Sequence, residues 1–445
     1  MSVQPYALTE SVLAQARAAG ADAADVLLIE SASLAVNRRL GRIDRLERAE
    51  SVDLGLRVFV GRRHAVVATG DLSPGGLARA AEQAVGIARA VPEDAFAGLA
   101  EPGQISRAMP DLGLDADDEP DVEALLARAA LAEDTALAGD RITNSEGAEA
   151  SWSASTITLA ATNGFVGSYR RSSHSLAVSV VAGEGTAMER DYDYATSVRG
   201  ADLTDPAAIG RSAAERAARR LGAVKVRSQA VPVVYDPRVA NSLVGHVLSA
   251  INGSAVARRT TFLRDRMGEA VLGSGISIVE DPFLAGGRRS RPFDAEGIAP
   301  APRRLIDRGV LTSWLLDLST ARQLGLASTG HAARGVGSNP SPSASNVVME
   351  AGTIARDDLL GDIKEGFYVT EMIGMGLNLL TGDYSRGASG FWIENGRLTY
   401  PVSEITIAGN LKDMFHHMTP ADDLEIRYGI DAPTVRVDGL TLAGR

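Results

Sequence analysis

Strand-like segments follow one another in groups, and this grouping constrains the fold more than any other feature of the sequence. Within residues 151–198, apolar and polar residues alternate on both sides of the turn dipeptide Asn163-Gly164. Helical spacing of apolar residues occurs elsewhere, at 8–16, 77–88, 122–137 and 206–221. A doubly wound parallel sheet would require strands and helices to alternate regularly, and here they do not. The sequence therefore predicts an α+β fold.

The first half of the chain is predicted to be a mixed α/β domain that ends near residue 225. Gly20 ends the first helix, while Ser73 and Pro74 begin the second, because serine caps helices and proline fits their first turn. The remaining predicted strands of this half are 25–31, 33–38, 52–60 and 65–69. Residues 226–445 are predicted to form a strand-rich domain with hairpins at Asp307-Arg308-Gly309 and Asn395-Gly396 and a flexible segment at 330–346.

An acidic, proline-containing stretch at residues 92–120 is predicted to be a surface loop. Its carboxylates are Asp115, Asp117, Asp118 and Glu119. A calcium loop would also need a glycine at the turn and a distal glutamate, and this stretch lacks that pattern. We therefore interpret the acidic residues as a solvated loop.

Charge and composition exclude several classes of function. The formal net charge is −11 and the basic residues are dispersed, the densest runs being Arg288-Arg289 with Arg291 and Arg303-Arg304. Nucleic-acid binding needs a basic face, so it is not expected. No apolar run approaches the roughly twenty residues of a membrane span, and the N-terminus does not read as a secretion signal. With no cysteine in the chain, a cytoplasmic location is expected.

No known catalytic motif is found among the reactive residue types. None of the histidines precedes a glutamate, so the metal-binding helix motifs HExxH and HExxxH are absent. His416 and His417 are adjacent, and neighbouring helical residues point about 100° apart, so this pair cannot chelate one ion. The glycine pairs of Gly335-Val336-Gly337 and Gly374-Met375-Gly376 lack the third glycine of a dinucleotide loop. From its reactive residues alone, the chain is predicted to have no catalytic site.

A series of motifs in the second half resembles the TldD/TldE (PmbA) family, whose members have been called modulators of DNA gyrase. The order and spacing of these motifs match the family over nearly all of residues 230–445. They are SRPFDAEG at 290–297, LTSWLLD at 311–317, STGHA at 328–332, TEMIGMG at 370–376, TGDYSRG at 381–387, GFWIENG at 390–396 and PVSEI at 401–405. The first half matches more loosely, through its order of elements and the run DLGLRV at 53–58.

The resemblance implies that this chain is of the TldE type, which lacks a metal site. TldD-type members resemble metallopeptidases in which an HExxxH helix and a late cysteine bind zinc. Counted back from Gly268-Glu269, Val244 and Ser249 stand where the two histidines would be, and Gly245 stands where the glutamate would be. The late cysteine also has no counterpart. His246 lies in this helix without a partner ligand, so we interpret it as structural.

The family implies a non-catalytic subunit of a metallopeptidase complex that degrades or trims unfolded peptides. Its expected partner is a TldD-type chain that carries the zinc, with a homodimer possible in isolation; this chain itself is expected to hold no cofactor. Two alternatives stay open, a self-sufficient homodimeric peptidase with unrecognised catalytic groups and a binding protein that acts on DNA gyrase. No nucleic-acid or membrane partner is expected.

Two segments, 329–346 and 374–386, are predicted to line the peptide path. Their glycines permit close approach of a backbone, and an extended peptide could add along such a strand through backbone hydrogen bonds. The alternative is that these glycines only satisfy turns. The candidate path residues are His331, Arg334, Gly374, Met375, Gly376, Asn378, Asp383 and Tyr384.

Overall fold

The computed structural model describes residues 4–116 and 119–445. Asp117 and Asp118 of the predicted acidic loop, and the first three residues, lie outside this range. Helices and strands are both extensive, and the predicted α+β class is confirmed. No helix of the described ranges is both long and apolar enough to cross a membrane.

One antiparallel sheet organises the first half of the chain. Its strand order is β3-β2-β1-β4-β5-β6. The prediction of separate strands at 25–31 and 33–38 was wrong, because the alternation continues through Ser31 and the ladder is unbroken; the Ser31 and Ser155 hydroxyls are 2.9 Å apart across it. The strands are β1 Ala23–Arg39, β2 Arg42–Val60, β3 Arg63–Thr69, β4 Ile142–Ala161, β5 Val166–Ala182 and β6 Glu189–Ser197.

Four helices cover this sheet in two pairs. They are α1 Pro5–Ala18, α2 Pro74–Ala90, α3 Val122–Leu137 and α4 Pro206–Arg219. The first pair shares an apolar core with β1 and β2, and the second pair shares one with β4 and β5. The Ser73 hydroxyl accepts a hydrogen bond from the Gly76 amide, as its capping role predicts, and Asp121 caps α3 in the same way.

The second half contains two larger sheets and short helices around one large apolar core. One sheet has the order β16-β15-β14-β7-β19-β17 and the other β10-β9-β8-β13-β18. The strands are β7 Gln229–Tyr235, β8 Ile278–Asp281, β9 Arg303–Asp307, β10 Val310–Leu311, β11 Ala332–Ala333, β12 Ser341–Pro342, β13 Asn346–Met349, β14 Glu365–Ile373, β15 Asp383–Glu394, β16 Arg397–Asn410, β17 Met418–Pro420, β18 Ile430–Asp431 and β19 Val435–Ala443. The helices are α5 Pro237–Ala250, α6 Gly253–Ala257, α7 Leu318–Leu324, α8 Arg356–Gly361 and α9 Leu411–His416.

Both predicted hairpins of this half are confirmed, as β9–β10 and β15–β16. The predicted flexible segment 330–346 is instead held in place. Within this segment strand β11 pairs with β12. His331 and Asn346, near the two ends of the segment, are buried. Outside these two short strands, buried polar side chains with hydrogen-bond partners hold the segment in place, and its glycines and prolines gave no sign of this order. The boundary predicted at 225/226 falls between α4 and β7 and remains a prediction.

Candidate functional site

Helix α5 contains Val244, Gly245 and Ser249, the three positions that the resemblance assigns to the zinc motif of TldD-type chains. Asp236 caps its N-terminus by accepting from the Arg238 amide, and Pro237 occupies the first turn. The helix packs against β7, β14 and β18. Its apolar face is fully or nearly fully buried in the large core and consists of Ala240, Leu243, Val244, Val247, Leu248 and Ala250.

The three motif positions of α5 do not fit a zinc ion. Val244 is completely buried in the core, so this position faces away from solvent. Gly245 has open space around it, and the Ser249 hydroxyl donates back to the Gly245 carbonyl at 2.8 Å. Zinc sites in proteins use imidazole, thiolate or carboxylate donors, and these positions supply none. Within residues 4–116 and 119–445, no group of three or more His, Asp or Glu side chains could hold a metal ion.

His246 lies on the same helix and contacts an aromatic residue instead of a metal ligand. Its ring meets the Tyr384 ring edge to face, with centroids 5.7 Å apart. Burial, and then the positive charge of Arg386, lower the pKa of His246 to about 4, so the imidazole is neutral near pH 7. Its buried Nε2 has no hydrogen-bond partner among the described residues.

Two tyrosines and an arginine complete a polar cluster around His246. The Tyr235 hydroxyl donates to that of Tyr384 at 3.4 Å, and burial raises the pKa of both phenols. The Nε of Arg386 is buried without a partner in the part of the chain that the structure describes. The cluster therefore holds buried, unpaired hydrogen-bonding atoms of His246 and Arg386, but it contains no carboxylate that could activate a water molecule. Tyr235 was not predicted as a site residue, because in the sequence it looks like an ordinary residue of a strand.

Six of the predicted path residues lie together in the β14–β15 hairpin beside α5. They are Gly374, Met375, Gly376, Asn378, Asp383 and Tyr384. Met375 is 91% exposed, and Ile373 and Leu380 of the same hairpin are 59% and 57% exposed. Soluble proteins rarely leave several large apolar side chains exposed together, and such patches mark contact sites. Met375 is therefore the candidate whose side chain is free to meet a ligand.

The other hairpin residues build the turn. Gly374 has a φ of +81°, and a Cβ on Gly376 would lie 1.9 Å from the Ser385 carbonyl oxygen, so both positions require glycine. The Asn378 side chain accepts from the amides of Leu380 and Thr381. Asp383 accepts from the Thr381 hydroxyl at 2.6 Å. The contacts of these residues agree with the alternative interpretation, in which they only stabilise the turn.

His331 and Arg334, the other two candidate path residues, lie outside this hairpin and have buried side chains, while their role in the peptide path stays a prediction. The Nε2 of His331 is 2.6 Å from a Glu280 carboxylate oxygen, and its Nδ1 is 2.7 Å from the Thr329 hydroxyl. Burial alone would raise the pKa of Glu280, but the hydrogen bond and charge of His331, with hydrogen bonds from Ser345, outweigh it and lower that pKa. Charged groups removed from water need such partners, and these contacts occupy both ring nitrogens of His331.

Arg334 belongs to a buried ion network that joins the two halves of the chain. Its Nη2 lies 2.6 Å from Oδ1 of Asp25, and Arg57 donates to Oδ2 of Asp25 at 2.5 and 2.9 Å. Burial alone would raise the pKa of Asp25, but the charges of Arg334 and Arg57 lower it below its ordinary value. Glu296 lies 3.9 Å from Arg57, and burial, with the nearby Asp294, raises its pKa to about 8.

Comparisons with known proteins agree over the whole chain. Three family profiles match in order: PmbA/TldA metallopeptidase domain 1 at residues 24–88, the central domain at 115–221 and the C-terminal domain at 228–444. The chain is 37% identical over 426 residues to Metalloprotease PmbA of Escherichia coli O157:H7, covering 95% of this chain and 93% of that protein. It is 36% identical over 428 residues to a Metalloprotease PmbA homolog of Haemophilus influenzae, covering 96% and 93%.

Solved structures show the same fold. A protein of Bacteroides thetaiotaomicron, described as a candidate modulator of DNA gyrase, superposes with a TM-score of 0.92 at 28% identity and covers all of both chains. TldE of Thermococcus kodakarensis superposes with a TM-score of 0.87 at 20% identity and covers 98% of this chain and all of that one. At 20% identity, the similarity to TldE of Thermococcus kodakarensis shows a shared fold alone.

Proposed function

This chain belongs to the PmbA/TldD metallopeptidase family, and we propose that it is the subunit of a two-chain peptidase that carries no catalytic metal. The observation that supports this proposal is the set of side chains on α5, where Val244 is buried in the core and Gly245 and Ser249 offer no metal donor. In a metallopeptidase the attacking water is activated by a metal ion together with a general base. In the proposal both come from a TldD-type partner in the cytoplasm, whose zinc site this chain helps to enclose.

The substrate in this proposal is an unfolded peptide. The exposed apolar hairpin residues Ile373, Met375 and Leu380 support it, since an extended chain exposes the apolar side chains that such a surface can contact. The buried polar cluster of Tyr235, His246 and Tyr384 adjoins this hairpin and supplies no carboxylate for hydrolysis. Purification of the tagged protein from its native cells should recover a TldD-type chain in equal amount. Recovery of this chain alone at physiological concentration would contradict the proposal.

The purified protein is expected to bind no transition metal in stoichiometric amount. The reason is the donor set of α5, because a zinc site needs at least three protein ligands and this helix supplies none at the motif positions. Elemental analysis after purification without chelators measures this directly. One zinc per chain would overturn the prediction, and a TldD-type chain purified in the same way is the positive control.

Replacement of Met375 by glutamate is expected to slow cleavage of long peptides by the two-chain complex about fivefold to thirtyfold, equivalent to roughly 1–2 kcal/mol. A charge would replace the apolar side chain that is 91% exposed, while subunit pairing and melting temperature should stay unchanged. Met188→Glu is the matched control, since Met188 is 55% exposed and lies on a different loop. Unchanged cleavage by Met375→Glu, or loss of activity only because pairing fails, would make the hairpin structural. Asn378 is the poorer test because its side chain holds the turn.

A further inference from the structure

A cavity of about 670 Å³ lies between the end of β6 and two loops of the second half, 284–288 and 426–429. None of the candidate path residues lines it. Its volume falls in the range of roughly 300–1,000 Å³ that ligand sites in proteins occupy. Its wall includes the aromatic pair Tyr194 and Tyr428, whose ring centroids are 5.4 Å apart.

Arginine side chains give this cavity a positive charge in a protein whose net charge is −11. Arg199, Arg288 and Arg427 line it, and no carboxylate of the described residues forms an ion pair with any of them. Asp202 is the one acidic residue of the described lining, which leaves an excess of two positive charges (three minus one). Further guanidinium groups lie behind the cavity wall. Burial, followed by the positive charges of Arg291, Arg171 and Arg288, lowers the pKa of Arg289.

The cavity also meets an unpaired strand edge. Strand β6 is last in its sheet, so one of its edges has no partner strand in the described sheet. The carbonyls of Tyr192 and Tyr194 point to that edge, where they accept from Arg216 and Arg427. In an antiparallel pair the outward backbone groups belong to alternate residues, so those of Thr196 face the same way. The Thr196 hydroxyl is also buried with no hydrogen-bond partner among the described residues.

We propose that this cavity binds an acidic, extended segment of a peptide, which pairs with β6 at Thr196 and places its carboxylates against Arg288 and Arg199. Backbone pairing with a strand edge supplies binding that does not depend on sequence, and the arginines select carboxylates. The inference rests on the proposed function, in that the ligand is an unfolded peptide. It assigns the selection of acidic segments to this chain, at a site separate from the β14–β15 hairpin.

The test measures binding of fluorescein-labelled peptides to the full-length protein by anisotropy, without a partner and without cleavage. The probe is a capped peptide of alternating Glu and Thr, and its control is the Gln–Thr peptide of equal length. We expect the Glu–Thr peptide to bind at least about tenfold more tightly, and Arg199→Gln with Arg288→Gln to remove about that factor, because charge-assisted hydrogen bonds are lost. Arg397→Gln, an exposed arginine outside the cavity, should bind as the natural protein does.

Further variants separate the site from a change in folding. Arg288 is exposed and its side chain forms no hydrogen bond or ion pair with the described residues, so its replacement should leave the melting temperature unchanged. Arg288→Lys keeps the charge and should keep most of the binding. A peptide with N-methylated backbone amides should bind more weakly, because it cannot donate hydrogen bonds to β6, and equal binding would overturn the strand pairing. Equal binding of the Glu–Thr and Gln–Thr peptides, or tight Glu–Thr binding by the double glutamine variant, would overturn the inference. Competition by inorganic phosphate alone at equal strength would also overturn it, by showing a simple anion site. Because no cleavage is measured, these results do not depend on whether a TldD-type partner restores activity.

Discussion

Mixed with a TldD-type chain, this protein is expected to support chelator-sensitive cleavage of an unfolded peptide, while alone it shows none above background. The physical reason is that α5 has no imidazole or carboxylate at its three motif positions, so no metal-bound water can form there. His246 beside Tyr384 cannot substitute, since a zinc site needs at least three protein ligands and no group of three or more His, Asp or Glu side chains among the described residues could hold a metal ion. The measurement is fluorescence of a quenched peptide with each chain alone and with both.

The partner's own motif provides the sharpest control for this experiment. A TldD-type chain in which the motif glutamate is changed to glutamine should still pair with this protein. Its mixture should cleave roughly 10²–10⁴-fold more slowly, which is the usual contribution of a general acid or base. Chelator-sensitive cleavage by this protein alone would refute the assignment and favour the self-sufficient homodimer. Equal cleavage by the TldD-type chain with and without this protein would remove its role as a required subunit.

Replacement of Asp25 by asparagine is expected to lower the free energy of unfolding by about 3–5 kcal/mol, the usual cost of leaving buried charges without their partner. Asp25 is 2% exposed and contacts both Arg57 and Arg334. Without its charge, Glu296 would be the one carboxyl group of the described residues within 4 Å of either buried guanidinium group, and its raised pKa leaves it largely protonated near pH 7. The measurement is the urea midpoint and slope, together with the melting temperature.

An exposed ion pair supplies the matched control for Asp25. Glu269 pairs with Arg266 at 2.6 Å, with both side chains at least half exposed, so Glu269→Gln should cost no more than about 1 kcal/mol. The pH dependence gives a second check. The pKa of Asp25 is lower in the folded protein, so its stabilisation is present above the unfolded pKa and is lost as the pH falls through the folded pKa. The natural protein and Asp25→Asn should therefore converge in stability at acidic pH. A loss at neutral pH as small as that of Glu269→Gln would show that the network contributes little.

Elements with strong local signals were predicted well from the sequence. The helix at 122–137 was placed at the residues where the structure has it, because its apolar spacing and the Asp121 cap both act within a few residues. The turn at Asn163-Gly164 and the hairpin at Asn395-Gly396 are encoded by the residues that form them. Segment 330–346 was misjudged, because its order comes from the buried contacts of His331 and Asn346 with residues near 280–290.

The sequence by itself determined the family and the missing metal donors, since both depend on which residues stand at which positions. Valine and glycine have no side-chain donor, and the hydroxyl of Ser249 is not among the imidazole, thiolate and carboxylate donors that protein zinc sites use. Only the tertiary structure decided which polar residues meet: it placed His246 against Tyr384, paired Arg334 with Asp25 and left Met375 exposed. It also brought the end of β6 beside the loops that carry Arg288 and Arg427. These contacts join residues far apart in the chain, and they follow from how the sheets pack rather than from the periodicity of any one segment.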